Sequence, residues 1–181
     1  MRVREAKAGD STAIAHVQVT TWRTTYRGIV PAEYLAAMSA EARAPWWERQ
    51  IADQHPDVCT FVACDVSGRV VGFARAGPER DGDPTHTGEL YAIYVLEGHQ
   101  RHGLGRELVR RVALHLRGHA HRAMLVWALA ANPYRRFYEA PGGTLCRARP
   151  IEIGGVVLEA VAYGYDLDEL LTRLAAYGEH G

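Results

Sequence analysis

The sequence predicts a single α/β domain in which one sheet is covered by helices, and three observations carry that reading. Its 181 residues fit one domain and can bury a full core without disulfides or a structural metal. Hydrophobic residues make up 48% of the chain, inside the globular range, which argues against wholesale disorder. Apolar patterns of period two and of period 3.6 follow one another in the order strand, helices, three strands, helix, strand, helix, two strands.

Residues 1–7 set Val3 and Ala6 against Arg2, Arg4 and Lys7, the alternation of a short strand. Gly9, Asp10 and Ser11 supply capping residues for a first helix, in which Ile14, Val17 and Trp22 recur at roughly helical spacing. Pro31 opens a second helix with Tyr34, Leu35 and Met38 on one face, and a third covers 40–52 with Pro45 early in it. Residues 60–65 and 69–76 pair as a hairpin about Ser67 and Gly68, and the polar stretch 77–84 is a surface loop. The apolar run 89–96 reads as a central strand buried on both faces.

The clearest helix covers 103–117. Leu104, Leu108, Val112 and Leu116 form its apolar stripe, Arg106, Glu107, Arg110 and Arg111 fill the other side, and Gly118 ends it. A strand over 123–130 and a short helix from Asn132 to Glu139, broken by Gly142 and Gly143, come next. Two strands about Gly154 and Gly155 and a terminal helix over 166–176 complete the chain.

Composition narrows the function classes. Lys+Arg and Asp+Glu are both 21, a formal net charge of +0, which argues against a nucleic-acid binder held by phosphate attraction. Cys59, Cys64 and Cys146 are odd in number and form no close pair, which points to a reducing compartment rather than a disulfide framework. Residues 1–5 lack the apolar stretch of a signal peptide, and no run approaches the ~20 apolar residues of a membrane span. The expectation is a soluble cytoplasmic protein with no membrane partner.

The most informative segment joins the central strand to the clearest helix: Gln100, Arg101, His102, Gly103, Leu104, Gly105 and Arg106. A strand-to-helix turn with two glycines aims free backbone N–H groups at one point, reinforced by the positive end of the helix dipole, and so suits a pyrophosphate. Arg101, His102 and Arg106 add charge, and Gly103 and Gly105 leave an anion room to approach. Alone, the pattern equally fits a tight turn with close packing. A P-loop is excluded because Lys7 is the only lysine, and a dinucleotide fingerprint fits poorly because position 108 is Leu.

Residues 100–105 and the preceding 90–95 resemble the signature and strand of the GNAT N-acetyltransferase superfamily. Asn132 through Glu139, with Phe137-Tyr138-Glu139, resembles its downstream helix, although position 136 is Arg where Ala is common and Pro141 replaces an apolar residue. Trp22, residues 26–31, Tyr34 and Leu35 are similar to the amino-terminal region of one branch. The resemblance implies a mixed, mostly antiparallel twisted sheet, an acceptor-side region over about 8–55, an acetyl-CoA-binding core over about 58–165 and a terminal helix over about 166–176. It further implies acetyl transfer from acetyl-CoA to a small-molecule or peptide amine, with a homodimer as the expected assembly.

The same resemblance implies roles for single residues. The backbone of Ile93, Tyr94 and Val95 would pair with the pantetheine arm, amides from Arg101 to Arg106 would hold the pyrophosphate, and Asn132 and Tyr138 would lie near the thioester. Tyr138, a phenol with an ordinary pKa of about 10, is the candidate acid for the departing thiolate; an aromatic packed in the core is the competing reading. Glu89 is the candidate base or amine attractor, against a solvated strand-end carboxylate. Trp22 and Tyr26, on one helix face, would wall the acceptor pocket unless they belong to an ordinary core stripe. His115, His119 and His121 suggest no metal, since Gly118 separates the first two and no HExxH glutamate is present. A non-catalytic acyl-CoA sensor is the alternative class.

Overall fold

The computed structural model describes residues 1–53 and 55–176; residues 177–181 of the expected domain lie outside the described part. Seven strands form one sheet in the order β1-β2-β3-β4-β5-β7-β6, made of β1 (Arg2–Glu5), β2 (Cys59–Cys64), β3 (Val70–Pro78), β4 (Gly88–Val95), β5 (Ala123–Leu129), β6 (Thr144–Ile153) and β7 (Val156–Asp166). Every pairing is antiparallel except β4 with β5. The expected α/β fold with a mixed, mostly antiparallel sheet is what the chain adopts.

Helices α1 (Ser11–Thr25), α2 (Ala32–Ala37) and α3 (Ala40–Ala52) precede β2; α4 (Leu104–Gly118) and α6 (Leu167–Ala176) follow β4 and β7. The stripe of α4 buries Leu104, Leu108, Val112 and Leu116 against Phe61, Ala74, Leu90 and Val126 of the sheet, with Leu170 and Leu174 of α6 alongside. Ile14 and Val17 of α1 and Trp47 of α3 bury against Val62 and Phe73 in a second cluster. Trp47 is 1% exposed and sets its ring edge-on to Phe73 at 4.8 Å. Each sheet face thus receives a helical layer because each supplies an apolar stripe of the right period.

Asp65 fixes the β2–β3 turn. Its Oδ1 accepts from the Ser67 hydroxyl (2.7 Å) and from the amides of Ser67 (2.8 Å) and Arg69 (3.0 Å), while Oδ2 takes the Arg69 guanidinium at 3.0 Å. The Ser67 hydroxyl foremost, and then Arg69, hold the carboxyl well below the usual carboxylate range. A depressed native pKa contributes stability above the unfolded-state value and loses it as pH falls. Asp65→Asn therefore lowers the thermal midpoint at pH 7, and the gap to the parent narrows below about pH 4, where an unfolded-state aspartate begins to protonate; thermal melts at a series of pH values check this.

Two elements differ from expectation. The second half of β4, from Tyr91 to Val95, is only half-buried, because no strand covers its β5-side edge beyond Leu90. The helix expected from Asn132 is confined to α5 (Arg136–Glu139). Asn132 instead opens a turn, its Oδ1 accepting from the Tyr134 amide at 2.8 Å, which draws the backbone away from helical pairing.

Candidate active site

The contact of β4 with β5 lasts only from Gly88 opposite Met124 to Leu90 opposite Val126. Beyond that point β4 stays on β3 as far as Val95 opposite Gly72, and β5 stays on β7 as far as Leu129 opposite Ala160. The strands part and the sheet opens. The Leu96 amide donates to Val71 O at 2.9 Å. Alternation along an antiparallel strand therefore turns the N–H and C=O groups of Ile93 and Val95 toward the opening. Gln100 already uses one of them, donating from Nε2 to Val95 O at 3.0 Å.

The turn after β4 holds Arg101 at φ 62 and Gly103 at φ 80. Left-handed residues at alternate positions curl successive N–H groups toward one point, a backbone concavity that suits an anion. For Arg101 this conformation costs on the order of 1–3 kcal/mol, the kind of strain found at ligand clamps. The α4 ladder begins with the Glu107 amide on Gly103 O at 3.0 Å, so the amides of Leu104 and Gly105 have no helical acceptor. Gly105 is small for a different reason from the one expected: a Cβ there would lie 2.9 Å from the Phe137 ring. Close packing of α4 on α5 demands that glycine, and Gly103 supplies the conformation.

The opening and the turn form one cleft of about 310 Å³. Its walls carry Ile93, Tyr94 and Val95, of which the polar backbone groups of Tyr94 face β3 and not the opening, then the turn residues Gln100, Arg101, Gly103, Gly105 and Arg106, and then Asn132 and Tyr138. A free strand edge suits amides and a curled amide turn suits an anion, so the cleft suits an extended ligand that carries both.

Tyr138 is 9% exposed; its ring stacks on Tyr163 (5.7 Å, 19°) and meets Phe137 edge-on at 5.3 Å. The Tyr165 hydroxyl donates to the Tyr138 carbonyl at 2.7 Å. Tyr163 in turn donates to Glu139 at 2.9 Å and accepts from Arg135 at 2.7 Å, which staples α5 to β7. Burial, before the neighbouring phenols, pushes the Tyr138 hydroxyl well above its ordinary value. The proton is held firmly.

The model of the acetyltransferase (GNAT) family matches residues 19–142, which span the cleft from α1 through α5. The chain belongs to the GNAT acetyltransferase family. It is 41% identical over 174 residues to an uncharacterized N-acetyltransferase of Bacillus subtilis, covering 95% of this chain and 97% of that one. It is 31% identical over 144 residues to a probable N-acetyltransferase of Mycobacterium tuberculosis, covering 77% of each. A putative acetyltransferase of Salmonella typhimurium solved with acetyl-CoA superposes with a TM-score of 0.68 at 22% identity, covering 93% of this chain and 94% of that one. A Thermoplasma acidophilum N-acetyltransferase in complex with coenzyme A gives 0.71 at 15%, covering 91% and 98%. The protein is an acetyl-CoA-dependent GNAT N-acetyltransferase.

Not every expected site residue lies on this GNAT cleft. His102 is exposed and Leu104 packs into the core at 5% exposure, so neither side chain lines it. Tyr26 does line it and accepts from Asn132 at 3.3 Å; Trp22 sits behind, edge-on to Tyr26 at 5.0 Å and donating to the Tyr94 hydroxyl at 2.9 Å. Trp22 thus braces the wall rather than facing the cavity.

Glu89 stands apart from the cleft lining. It is 2% exposed, absent from the cleft wall, and held by Arg80, which donates to it from Nε at 3.0 Å, through the terminal guanidinium, and from its amide at 3.3 Å. The carboxylate is turned to Arg80 of the β3–β4 loop, a partner that local sequence did not mark. Thr21 and Thr25 were also missed, although their spacing parallels that of Trp22 and Tyr26, shifted by one residue. Among the described residues, no group of three or more His, Cys, Asp and Glu comes together as a metal site, and no helix is long and apolar enough to cross a membrane.

Proposed function

We propose that the cleft binds acetyl-CoA along the edge of Ile93–Val95 and over the turn at 101–106, and that its acetyl group passes directly to a primary amine of a small-molecule or peptide acceptor. The observation that carries this reading is the meeting of a bare strand edge, a curled amide turn and a buried tyrosine hydroxyl in one cleft. When bound, acetyl-CoA supplies an activated thioester. The Val95 N–H, aimed into the opening, is placed to polarise a carbonyl oxygen there. Asn132, 7% exposed, presents its amide beside Tyr26 and orients what lies between them. Tyr138 keeps its proton and offers it to a leaving thiolate. The region 8–55 forms the acceptor side, the core 58–165 holds the coenzyme, and the helix after 166 closes the core.

Among the described residues no Asp or Glu lines the cleft, which bears on the removal of the amine's proton. Without a carboxylate at hand, the ammonium gives its proton to bulk water before entry. The neutral amine attacks, the C–S bond breaks, Tyr138 protonates the thiolate, and the proton shed by the new amide nitrogen restores Tyr138. The kcat/KM for an acceptor is therefore expected to rise with pH along that acceptor's own ammonium titration. A panel of amines of different pKa, followed by release of free thiol from acetyl-CoA, tests this. A rising limb at one fixed pH for all amines would demand a protein base.

A further inference from the structure

We infer that the Thr21 hydroxyl is a hydrogen-bonding contact for the pantetheine arm of coenzyme A, a role that rests on the acetyl-CoA reading of the cleft. Thr21 lies in α1, is 6% exposed and lines the cleft. Its Oγ1 is buried and has no hydrogen-bond partner. Threonines in helices ordinarily place the hydroxyl on a carbonyl three or four residues back. Thr24, in the same helix, does so, donating to Thr20 O at 3.2 Å and to Thr21 O at 3.1 Å. Thr21 departs from that habit and leaves a polar atom buried without compensation.

Such an atom calls for an explanation, because a desolvated hydroxyl without a partner opposes folding. Among the described residues, buried unpartnered side-chain atoms also occur at Glu79, His86, His115, His121 and Trp127, and none of those residues lines the cleft. Thr21 alone combines the two properties. Thr21 lines the same cleft as Ile93 and Val95 of the strand edge and Gln100 and Arg101 of the turn. A pantetheine arm carries two secondary amides, each with a donor and an acceptor. The strand edge satisfies only the groups that face it, and a hydroxyl, able both to donate and to accept, suits those that remain.

The experiment compares Thr21→Val, which keeps the shape and removes the hydroxyl, with Thr21→Ser, which keeps the hydroxyl. Calorimetric titration with CoA lacking the acetyl group is expected to give a Kd about 5–10-fold weaker for Thr21→Val, the worth of one neutral hydrogen bond, and within about twofold of the parent for Thr21→Ser. The ligand-free thermal midpoint of Thr21→Val is expected to equal or exceed the parent's, since an unpartnered polar group has gone. This opposition of signs, with weaker binding and undiminished stability, is what a structural role would not produce. Equal CoA affinity in parent and Thr21→Val overturns the inference, as does a midpoint that falls together with affinity. A rise in acceptor KM with CoA affinity intact also overturns it, by placing the hydroxyl against the acceptor. Absence of CoA heat from the parent protein overturns the acetyl-CoA reading itself and is thereby told apart.

Discussion

Tyr138→Phe is expected to lower kcat about 100-fold, the lower end of what a positioned proton donor contributes, while leaving CoA affinity within about twofold. The ring keeps its stack on Tyr163 and its edge contact with Phe137, so the substitution removes only the hydroxyl. Burial raises the pKa of that hydroxyl, so the proton-bearing form persists throughout the range below the ordinary phenol value of about 10. The parent's kcat should accordingly show no falling limb from this group below about pH 10. Steady-state kinetics across pH 6–10, paired with calorimetry, measure both quantities. A variant with unchanged turnover would remove Tyr138 from the chemistry, and one with equal loss of CoA affinity would make it a binding residue.

Gly143→Ala is expected to cost about 3 kcal/mol or more, the upper range for overpacking. A Cβ at 143 would sit 2.3 Å from the Tyr138 carbonyl oxygen and 2.7 Å from the Tyr165 hydroxyl. Those two atoms are bonded to each other, so the methyl wedges open the contact that fixes Tyr138 on its short helix. For a chain of this length, such a loss corresponds to a fall of roughly 6–12 °C in thermal midpoint. Because the displaced carbonyl belongs to Tyr138, kcat should fall even at temperatures where the variant is fully folded. Thermal melts and turnover at 15 °C separate the two effects; a midpoint within 2 °C of the parent would show that α5 can shift without penalty.

How much of this was legible in the sequence depends on the range of the interactions involved. Helix α4 was plain because Leu104, Leu108, Val112 and Leu116 form a period that local geometry alone dictates, and all four are buried in the core. The turn at 100–106 was legible because a glycine needed for a left-handed conformation marks itself, and Gly103 has φ 80. The parting of β4 from β5 was not, since it is a property of two strands separated by the whole of α4 and leaves no local periodicity. The contact of Glu89 with Arg80 was hidden for the same reason, since Arg80 approaches from a loop that reads merely as polar. Asn132 had the right position and the wrong conformation, as its side chain competes for the backbone that a helix would use.

The way the sheet comes apart also bears on how the protein responds to occupancy. Within the sheet ladder, only three residue pairs of β4 and β5 join the strands β1 to β4 to the strands β5 to β7. An extended guest with amides of its own, lodged in the notch, would act as a replacement rung and splice two half-sheets into one continuous ladder. Part of the affinity is then invested in mending the scaffold, so occupancy would stiffen regions far from any direct touch, and the empty enzyme would be the more pliant of the two forms.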